Sequence, residues 1–297
     1  QTSDYKSKYD PSLLVREPRQ SNRTHLGLKD NNLPFVGNDT WNAYEISALT
    51  NNGRPVVGIA KIVYTCESKY IVESKSIKLY FNSFNMTNLG ETSEEVLDNI
   101  GIMASKDLSE LLDTVVQVKV HSNAYVLSDT SIFVARDEWM HGENCTPSYI
   151  TLEDEYPVDA IKFSVYTETP ELLEEIEDAP SEEVYYHSAL LKSNCRVTSQ
   201  PDWGDVYIYM KSKNTVDPIS LLQYIVSFRD ECHFHEEICE AIYKRLMDTI
   251  QPEELSIKCL YARRGGIDIN PERVSHKKLL HHTLSQVDVP HIKTPKQ

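Results

Sequence analysis

The sequence lacks long hydrophobic runs and the glycine motifs of common nucleotide-binding sites. No stretch of about 18 consecutive apolar residues occurs, so we expect no transmembrane helix and no membrane partner. The N-terminal segment QTSDYKSKYDPSLL has no charged region followed by an apolar region, so we expect no signal peptide. The absence of GxGxxG and Walker sequences argues against a Rossmann or P-loop site.

The chain also lacks a CxxC pair and an excess of basic residues. Its six cysteines are scattered, at Cys66, Cys145, Cys195, Cys232, Cys239 and Cys259. Without a secretion signal, this distribution indicates a cytoplasmic protein with reduced thiols. The net charge of −15 argues against a nucleic-acid-binding surface, which needs a basic stripe. The acidic stretch 168–183 is interpreted as a solvated helix or linker.

The pattern of apolar residues predicts a mixed α+β chain of two domains. Residues 1–50 have few periodic apolar positions and are predicted to form an irregular arm. Residues 55–64 (PVVGIAKIVY) and 114–122 (TVVQVKVHS) are typical of strands, and a helix is predicted from Ser93. The second half is similar: a strand at 201–210, a helix with Ile238, Ile242, Leu246 and Ile250 on one face, and a final strand that enters a Gly-Gly turn.

The two halves resemble diverged copies of one module. Three matching patterns occur in the same order, beginning at Pro55 and Pro201, at Ser76 and Ser220, and at Ser93 and His235. Their offsets are 146, 144 and 142 residues. The copies differ where chemistry would lie, because Asp202 corresponds to Val56. We therefore predict two strand-and-helix modules with antiparallel sheets packed on helices, and one composite site that both modules share.

Cys195 and Asp202 are the first candidates for chemistry. Lys192 and Arg196 flank the cysteine, and positive neighbours lower the pKa of a thiol. A turn could place the carboxyl of Asp202 beside the sulfur as a proton donor and acceptor. The alternative is an inert cysteine before a turn.

Two further segments carry possible ligand-binding residues. The run Cys232 to Glu236, with Cys239, could bind zinc, or His235 and Glu236 could bind a heterocycle, or the residues could be structural. A glutamate suits a guanine-like edge because it accepts two parallel N–H bonds. Arg263, Arg264 and the following glycines, with Lys75 and Lys78, could hold the phosphates of a dinucleotide, although an ordinary turn would have the same sequence.

Taken together, these residues resemble the 7-cyano-7-deazaguanine reductase family, the nitrile reductases of queuosine biosynthesis, in their two-module form. The resemblance covers nearly the whole chain. Its most specific parts are ESKSIKLYFNSFN and the C-x6-D spacing in SNCRVTSQPDWG. The remaining matching segments are YDPSLLVREPRQSNR, NLPFVGNDTWNAYEIS, LLKSNC, SFRDECHFHE and RRGGIDINPER.

The resemblance implies a fold and an assembly. It implies two tandem tunnelling-fold modules, which we place at residues 1–155 and 156–297, with antiparallel sheets and helices on one face. It also implies a cytoplasmic homodimer in which four modules complete a barrel. Active sites in this fold lie between modules. Since the chain is acidic, we expect it to act on the free base and not to bind tRNA.

The resemblance also implies residue roles. Cys195 would attack the nitrile carbon to give a thioimide, with Asp202 as the general acid. Two NADPH would be consumed for each amine formed, with neither metal nor flavin. The implied substrate-binding residues are Val72, Glu73, Ser74, His235 and Glu236. The implied NADPH-binding residues are Ser74, Lys75, Arg264 and Gly265.

The chain departs from the family pattern in a few places. Met86 stands where glutamine is expected, Arg196 stands where an apolar residue is common, and residues 86–190 diverge most. Two alternative functions remain open. One is a zinc-dependent enzyme of the same fold, similar to GTP cyclohydrolase, and the other is a non-catalytic protein that binds deazapurines.

Overall fold

Long antiparallel strands organise both halves of the chain. The structure is a computed structural model that describes residues 5–122, 149–176, 182–290 and 297. The principal strands are β2 (Val36–Leu49), β3 (Pro55–Thr65), β5 (Val116–Ser122), β8 (Glu182–Ser188), β10 (Pro201–Ser212), β13 (Glu254–Tyr261) and β14 (Ile267–Val274). They lie in one sheet, in the order β8-β10-β13-β14-β2-β3-β5. The two halves meet where β14 pairs with β2, with Ile269 opposite Trp41.

Shorter strands extend this framework. β9 (Lys192–Cys195) pairs with the start of β10, and β12 (Cys232–His233) runs parallel to β9. The others form small pairs, namely β1 (Arg16–Pro18) with β4 (Tyr70–Val72), β6 (Ile150–Thr151) with β8, and β7 (Glu175–Ile176) with β11 (Thr215–Val216).

The helices occupy matching places in the two halves. The longer ones are α2 (Ser74–Asn82), α3 (Ser93–Leu112), α5 (Pro218–Ser227) and α6 (His235–Ile250), and the short ones are α1 (Gln20–His25), α4 (Leu152–Glu155) and α7 (His282–Ser285). The predicted apolar face of α6 is confirmed, because its four isoleucine and leucine side chains are at most 3% exposed. None of the described helices combines the length and apolar character needed to span a lipid bilayer.

The predicted repeat is visible in the local structure of α2 and α5. An acidic residue caps each helix: Glu73 accepts from the backbone N–H of Ser76 at 2.7 Å, and Asp217 accepts from that of Ser220 at 2.7 Å. In both helices the serine near the C-terminus donates its hydroxyl to the carbonyl of a tyrosine three residues earlier. The two halves therefore keep the same helix start and end, in line with the α+β prediction.

Each half has its own hydrophobic core on the helix side of the sheet. Along β10, Val206, Ile208 and Met210 face this side, whereas Tyr207 faces the opposite side and packs with Leu284 of α7. Ile267 and Ile269 of β14 pack into the core of the first half. The two cores are thus connected through β14.

One prediction is wrong in part. Residues 1–50 are not an irregular arm throughout, because Val36–Leu49 forms a 14-residue central strand. Of the two interpretations of the acidic stretch, a solvated helix or a linker, the described part has only a 3-10 turn at Pro170–Leu172 and a short pairing of Glu175–Ile176 with β11, so the linker interpretation stays a prediction. The boundary between residues 155 and 156 stays a prediction, and Ile150–Thr151 already pairs with the second half.

A buried ionic cluster joins the N-terminal arm to both halves. Asp39 of β2 binds Arg19 and, at 2.8 Å, Arg273 of β14. Glu240 of α6 binds Arg273 at 2.9 Å and Arg23 of α1 at 2.7 Å. Every one of these side chains is at most 3% exposed. Because removal of one partner leaves a buried charge uncompensated, this ionic cluster fixes the arm, β2, β14 and α6 relative to one another.

We predict that Arg273→Met lowers the free energy of unfolding by about 3–5 kcal/mol, because Asp39 and Glu240 both lose a buried cation. Urea unfolding at pH 7 measures the change. Lys278→Met is the matched control: its ion pair with Glu254 is exposed, and its loss should cost less than about 1 kcal/mol. Equal losses in the two variants would contradict the role of the ionic cluster.

Candidate active site

A tight hairpin between β9 and β10 presents Cys195. The backbone N–H of Cys195 donates to the carbonyl of Gln200 at 2.8 Å, and that of Ser199 donates to the carbonyl of Cys195 at 2.9 Å. Ser199 takes up the left-handed conformation, with φ of 54°, that closes this turn. The parallel pairing of β12 with β9 then places His233 opposite Cys195, directly before α6.

A pocket forms where this hairpin meets the starts of α2 and α6. It encloses about 280 Å³, including space that opens to solvent. It brings together seven of the predicted site residues, which are Val72, Ser74, Cys195, Asp202, His235, Glu236 and Arg264. The residues come from both halves of the chain, as the composite site requires.

The surroundings of Cys195 favour its thiolate. Burial raises the pKa of the thiol, but hydrogen bonds from the side chains of Thr198 and Arg264 and from the backbone N–H groups of Thr198 and Val197 outweigh it. The net effect is a pKa below the ordinary thiol value of 9.0. The residue is 8% exposed. Although the thiol is largely buried, hydrogen bonds that stabilise its thiolate suit a nucleophile, and the alternative of an inert cysteine does not explain them.

The carboxyl of Asp202 lies between two cationic or ionisable groups. Its Oδ1 is 3.0 Å from Nε of Arg264, and its Oδ2 is 3.6 Å from Nε2 of His235. Arg264 also donates to Gln200 at 2.9 Å, so it holds the Cys195 hairpin and Asp202 together. The imidazole of His235 lies against the ring of Tyr261, with 4.0 Å between centroids. Asp202 and Cys195 line the same pocket, and Arg264 contacts both residues.

Glu236 is a buried acid with unused hydrogen-bonding capacity. It is 2% exposed, and its Oε1 has no hydrogen-bond partner within the described part of the chain. Burial is the main cause that raises its pKa to about 8, and the neighbouring Asp39 adds to the effect, while Arg19 opposes it. A buried polar atom without a partner is costly unless a ligand satisfies it, so Glu236 is the strongest candidate for ligand recognition.

Three predicted site residues lie at the edge of this pocket or have another role. The carboxylate of Glu73 caps α2, where it accepts from the N–H groups of Lys75 and Ser76. Lys75 is exposed on the first turn of α2. Gly265 has a φ of 60° and lies in the turn beside the ammonium of Lys78.

The Gly-Gly turn borders a cationic surface next to the pocket. An irregularity in β2 between Ala43 and Ile46 brings Tyr44 to the turn, where its N–H donates to the carbonyl of Gly266 at 2.9 Å. The guanidinium of Arg263 lies over the ring of Tyr44 at 4.5 Å. Two further cations here are already paired, Lys78 with Glu45 at 3.5 Å and Arg264 with Asp202 at 3.0 Å, so a phosphorylated cofactor would have to compete with these carboxylates.

Several pocket residues were not identified from the sequence. These are Trp41 and Ile269, which line the pocket, and Thr198, which contacts the Cys195 sulfur; His233 and Phe234, from the run considered for zinc, also line it. Thr198 could have been found from its place in the turn after Cys195. Trp41 and Ile269 lie in the middle of strands that pair only in the folded chain, so no local pattern marks them.

The zinc alternative gains no support from the Cys232 to Cys239 segment. His233 binds the carboxylates of Glu231 and Glu237 at 3.0 and 3.2 Å. The thiol of Cys239 is buried and faces the backbone carbonyls of Ile257 and Pro271. Within the described ranges, no group of three histidine, cysteine or acidic side chains could hold a metal ion; Cys145 lies outside those ranges.

Comparisons with known proteins agree with the geometry. Residues 5–120 match the family described as "Nitrile reductase, 7-cyano-7-deazaguanine-reductase N-term", and residues 201–279 match "QueF-like protein". The chain is 39% identical to the NADPH-dependent 7-cyano-7-deazaguanine reductase of Colwellia psychrerythraea, over 93% of this chain and 90% of that protein. It is 41% identical to the protein of the same name from Legionella pneumophila strain Lens, over 92% and 87% of the two chains.

A third relative with this name, from Dechloromonas aromatica, is 40% identical over 91% of this chain and 87% of its own. The chain therefore belongs to the 7-cyano-7-deazaguanine reductase family, which confirms the family resemblance seen in its motifs.

We predict that Thr198→Val slows alkylation of Cys195 by iodoacetamide at pH 7.5 roughly three- to tenfold. The lost hydroxyl no longer stabilises the thiolate, so the pKa of the thiol rises. Rates at several pH values, followed by mass spectrometry in a Cys232→Ala background, check this, since Cys232 is exposed and would also react. An unchanged rate profile would contradict the part assigned to Thr198.

We also predict that Glu236→Gln stabilises the ligand-free chain. A carboxyl whose pKa is raised on folding, here from 4.5 to about 8, favours folding fully below pH 4.5 and loses that contribution as the pH rises towards 8. The free energy of unfolding of the variant should therefore exceed that of the unsubstituted protein by on the order of 2 kcal/mol at pH 8, and the two values should be equal near pH 4. Urea unfolding across this range tests the difference, with the exposed Glu110→Gln as the control.

Proposed function

We propose that this chain catalyses the NADPH-dependent, four-electron reduction of 7-cyano-7-deazaguanine to 7-aminomethyl-7-deazaguanine in queuosine biosynthesis. The observation that carries the proposal is the single pocket in which Cys195, Asp202 and Glu236 come together. The names of three relatives, each about 40% identical over most of the chain, point to the same substrate and cofactor.

Recognition of the heterocycle rests on the start of α6. The pyrimidinone edge of a deazaguanine offers a ring N–H and an amino group side by side, and a carboxylate accepts both. Glu236 has the unpartnered oxygen for this task, and burial makes the interaction strong because water does not compete. His235 lies next to it, and its ring position is fixed by Tyr261. The substrate-binding residues proposed from the sequence are Val72, Glu73, Ser74, His235 and Glu236.

Covalent addition makes the nitrile reducible, because a nitrile is a poor acceptor for direct hydride attack. Asp202 takes the proton of the Cys195 thiol, and the thiolate forms a C–S bond to the nitrile carbon. One π bond of the nitrile breaks as this happens, and the nitrogen takes the proton back from Asp202. The product is a thioimide, in which all atoms of both reactants are retained. Arg264 contacts both groups and holds them for this exchange.

The cationic surface fits NADPH. Lys78, Arg263 and Arg264 lie at or beside a Gly-Gly turn with positive φ angles, where the side chain of Glu45 now packs against Gly266 and would have to move for a phosphate to approach. We assign Ser74, Lys75, Arg264 and Gly265 to hold the cofactor. NADPH would supply a hydride in each of two reductions: the first reduces the thioimide carbon, the C–S bond then breaks to release the imine and the Cys195 thiolate, and the second reduces the imine to the amine, so two molecules are oxidised for each amine formed. Between these steps, the pocket must keep the intermediate imine away from water.

Further parts of the proposal follow from the family resemblance and from the charge of the chain. We propose a cytoplasmic homodimer of two-module chains, with modules divided near residue 155 and no metal requirement. The charge of −15 is unfavourable for tRNA, so the enzyme would act on the free base. Tight tRNA binding at physiological salt would contradict this last point.

Mixing the protein with 7-cyano-7-deazaguanine should give near-ultraviolet absorbance of a thioimide, and NADPH should then be oxidised at two equivalents for each amine. Cys195→Ala should abolish both signals. Asp202→Asn should slow thioimide formation by about 10²–10⁴-fold, since a positioned proton donor contributes on this scale. Stopped-flow absorbance measures the first step and product analysis measures the ratio.

Cys232→Ala is the matched control for this experiment, because Cys232 is exposed on the strand next to Cys195 and lies outside the pocket. It should behave as the parent does. Thioimide without NADPH oxidation would support a non-catalytic binder, and stoichiometric zinc with activity lost on chelation would support a cyclohydrolase-like enzyme.

A further inference from the structure

Trp41 is a buried pocket residue that the proposed chemistry does not use. It lies in the middle of β2 and is 1% exposed. In the β2–β14 pairing it stands opposite Ile269, and both residues line the pocket that contains Cys195 and Glu236. The indole is therefore held at the seam between the two halves of the chain.

Among the residues that the structure describes, none accepts a hydrogen bond from the indole nitrogen of Trp41. Most buried tryptophans find a partner for this N–H, because leaving it unsatisfied is costly. Glu236 presents the complementary case in the same pocket, an acceptor oxygen without a donor. One pocket thus contains one unused donor and one unused acceptor, both nearly inaccessible to water.

We propose that the Nε1–H of Trp41 donates to the ring carbonyl oxygen of the deazaguanine, while Glu236 accepts from the ring N–H beside that carbonyl. This proposal rests on the proposed function and adds a specificity determinant to it. The lactam of the deazaguanine presents a carbonyl acceptor next to an N–H donor. Trp41 supplies the donor for the carbonyl, and Glu236 supplies the acceptor for the N–H. An analogue with an amino group in place of the carbonyl would set one donor against another and be rejected.

The test compares two ligands in two proteins. The Cys195→Ala background prevents covalent addition, so calorimetry gives the Kd of 7-cyano-7-deazaguanine itself. Adding Trp41→Phe should weaken binding about tenfold, because the indole N–H is lost while an aromatic ring is kept at this position. For the 6-thio analogue, whose sulfur is a poor acceptor, the same substitution should change the Kd less than about twofold.

A direct readout separates a hydrogen bond from a change in packing. In the Cys195→Ala protein labelled with ¹⁵N, the indole N–H signal of Trp41 should move downfield on addition of 7-cyano-7-deazaguanine. Trp203→Phe is the control, because Trp203 is 44% exposed and stacks with Arg229 outside the pocket. Its Kd should stay within about twofold of the background.

Each outcome is decisive for Trp41. An unshifted indole signal, or equal losses for the oxo and thio ligands, overturns the assignment while the proposed function stands. In the otherwise unsubstituted, active protein, a Trp41→Phe effect confined to the KM of NADPH would also overturn it, because the indole would then contact the cofactor. If the parent protein forms no thioimide and the Cys195→Ala protein binds no nitrile, the proposed function fails, and the assignment fails with it.

Discussion

The buried ionic cluster of Arg19, Arg23, Asp39, Glu240 and Arg273 holds the parts of this molecule in register. Two carboxylates are shared among three guanidinium groups that come from the arm, from α1 and from β14. Glu240 lies one helical turn after Glu236, so the residue that anchors α6 is on the same face as the residue that faces the pocket. Any movement of α6 would separate buried charges, and this cost keeps the recognition residue in place.

The same cluster explains why an acid can be both buried and ready to bind. Asp39 disfavours a second negative charge nearby, whereas Arg19 offsets part of that effect. With burial, these charges leave the pKa of Glu236 at about 8. The carboxyl can therefore lose its proton when a ligand donates a hydrogen bond to it. At the other wall of the pocket, Arg264 and the turn after Cys195 supply hydrogen bonds that favour a thiolate. The surroundings of Glu236 favour its protonated form, and those of Cys195 favour its thiolate. The two groups can share one pocket because different segments of the chain surround them.

Much of the fold could be predicted from local patterns, and the site only in part. The helices from Ser93 and His235 and the strands from Pro55 and Pro201 have clear periodicity, and the structure contains them. β2 was missed because its buried residues include Asp39, Thr40 and Asn42, whose polarity hides the strand pattern. These side chains bond to partners far along the chain; for example, the amide nitrogen of Asn42 donates to Asp268 at 2.7 Å. A single-sequence pattern cannot show such partners.

The residues of the site could likewise be predicted only in part. Cys195, Asp202 and Glu236 were identified because they lie in compact motifs whose family resemblance is specific. Trp41 was not, since its importance depends on the pairing of β2 with β14, more than 220 residues apart in sequence. Glu73 shows the opposite limit. Its motif marked it for ligand binding, but its carboxylate is occupied in capping α2, a role that depends on the backbone around it.

The pairing of β2 with β14 restricts how the duplicated halves could have diverged. Side chains alternate between the faces of a strand, so a slip by one residue in β2 would turn Trp41 away from the pocket, and the same slip in β14 would turn Ile269 away. Neither half can gain or lose a residue within these strands unless the other compensates. The ancestral copies have thus become mutually dependent, and evolution can lengthen their connecting loops far more freely than their common seam.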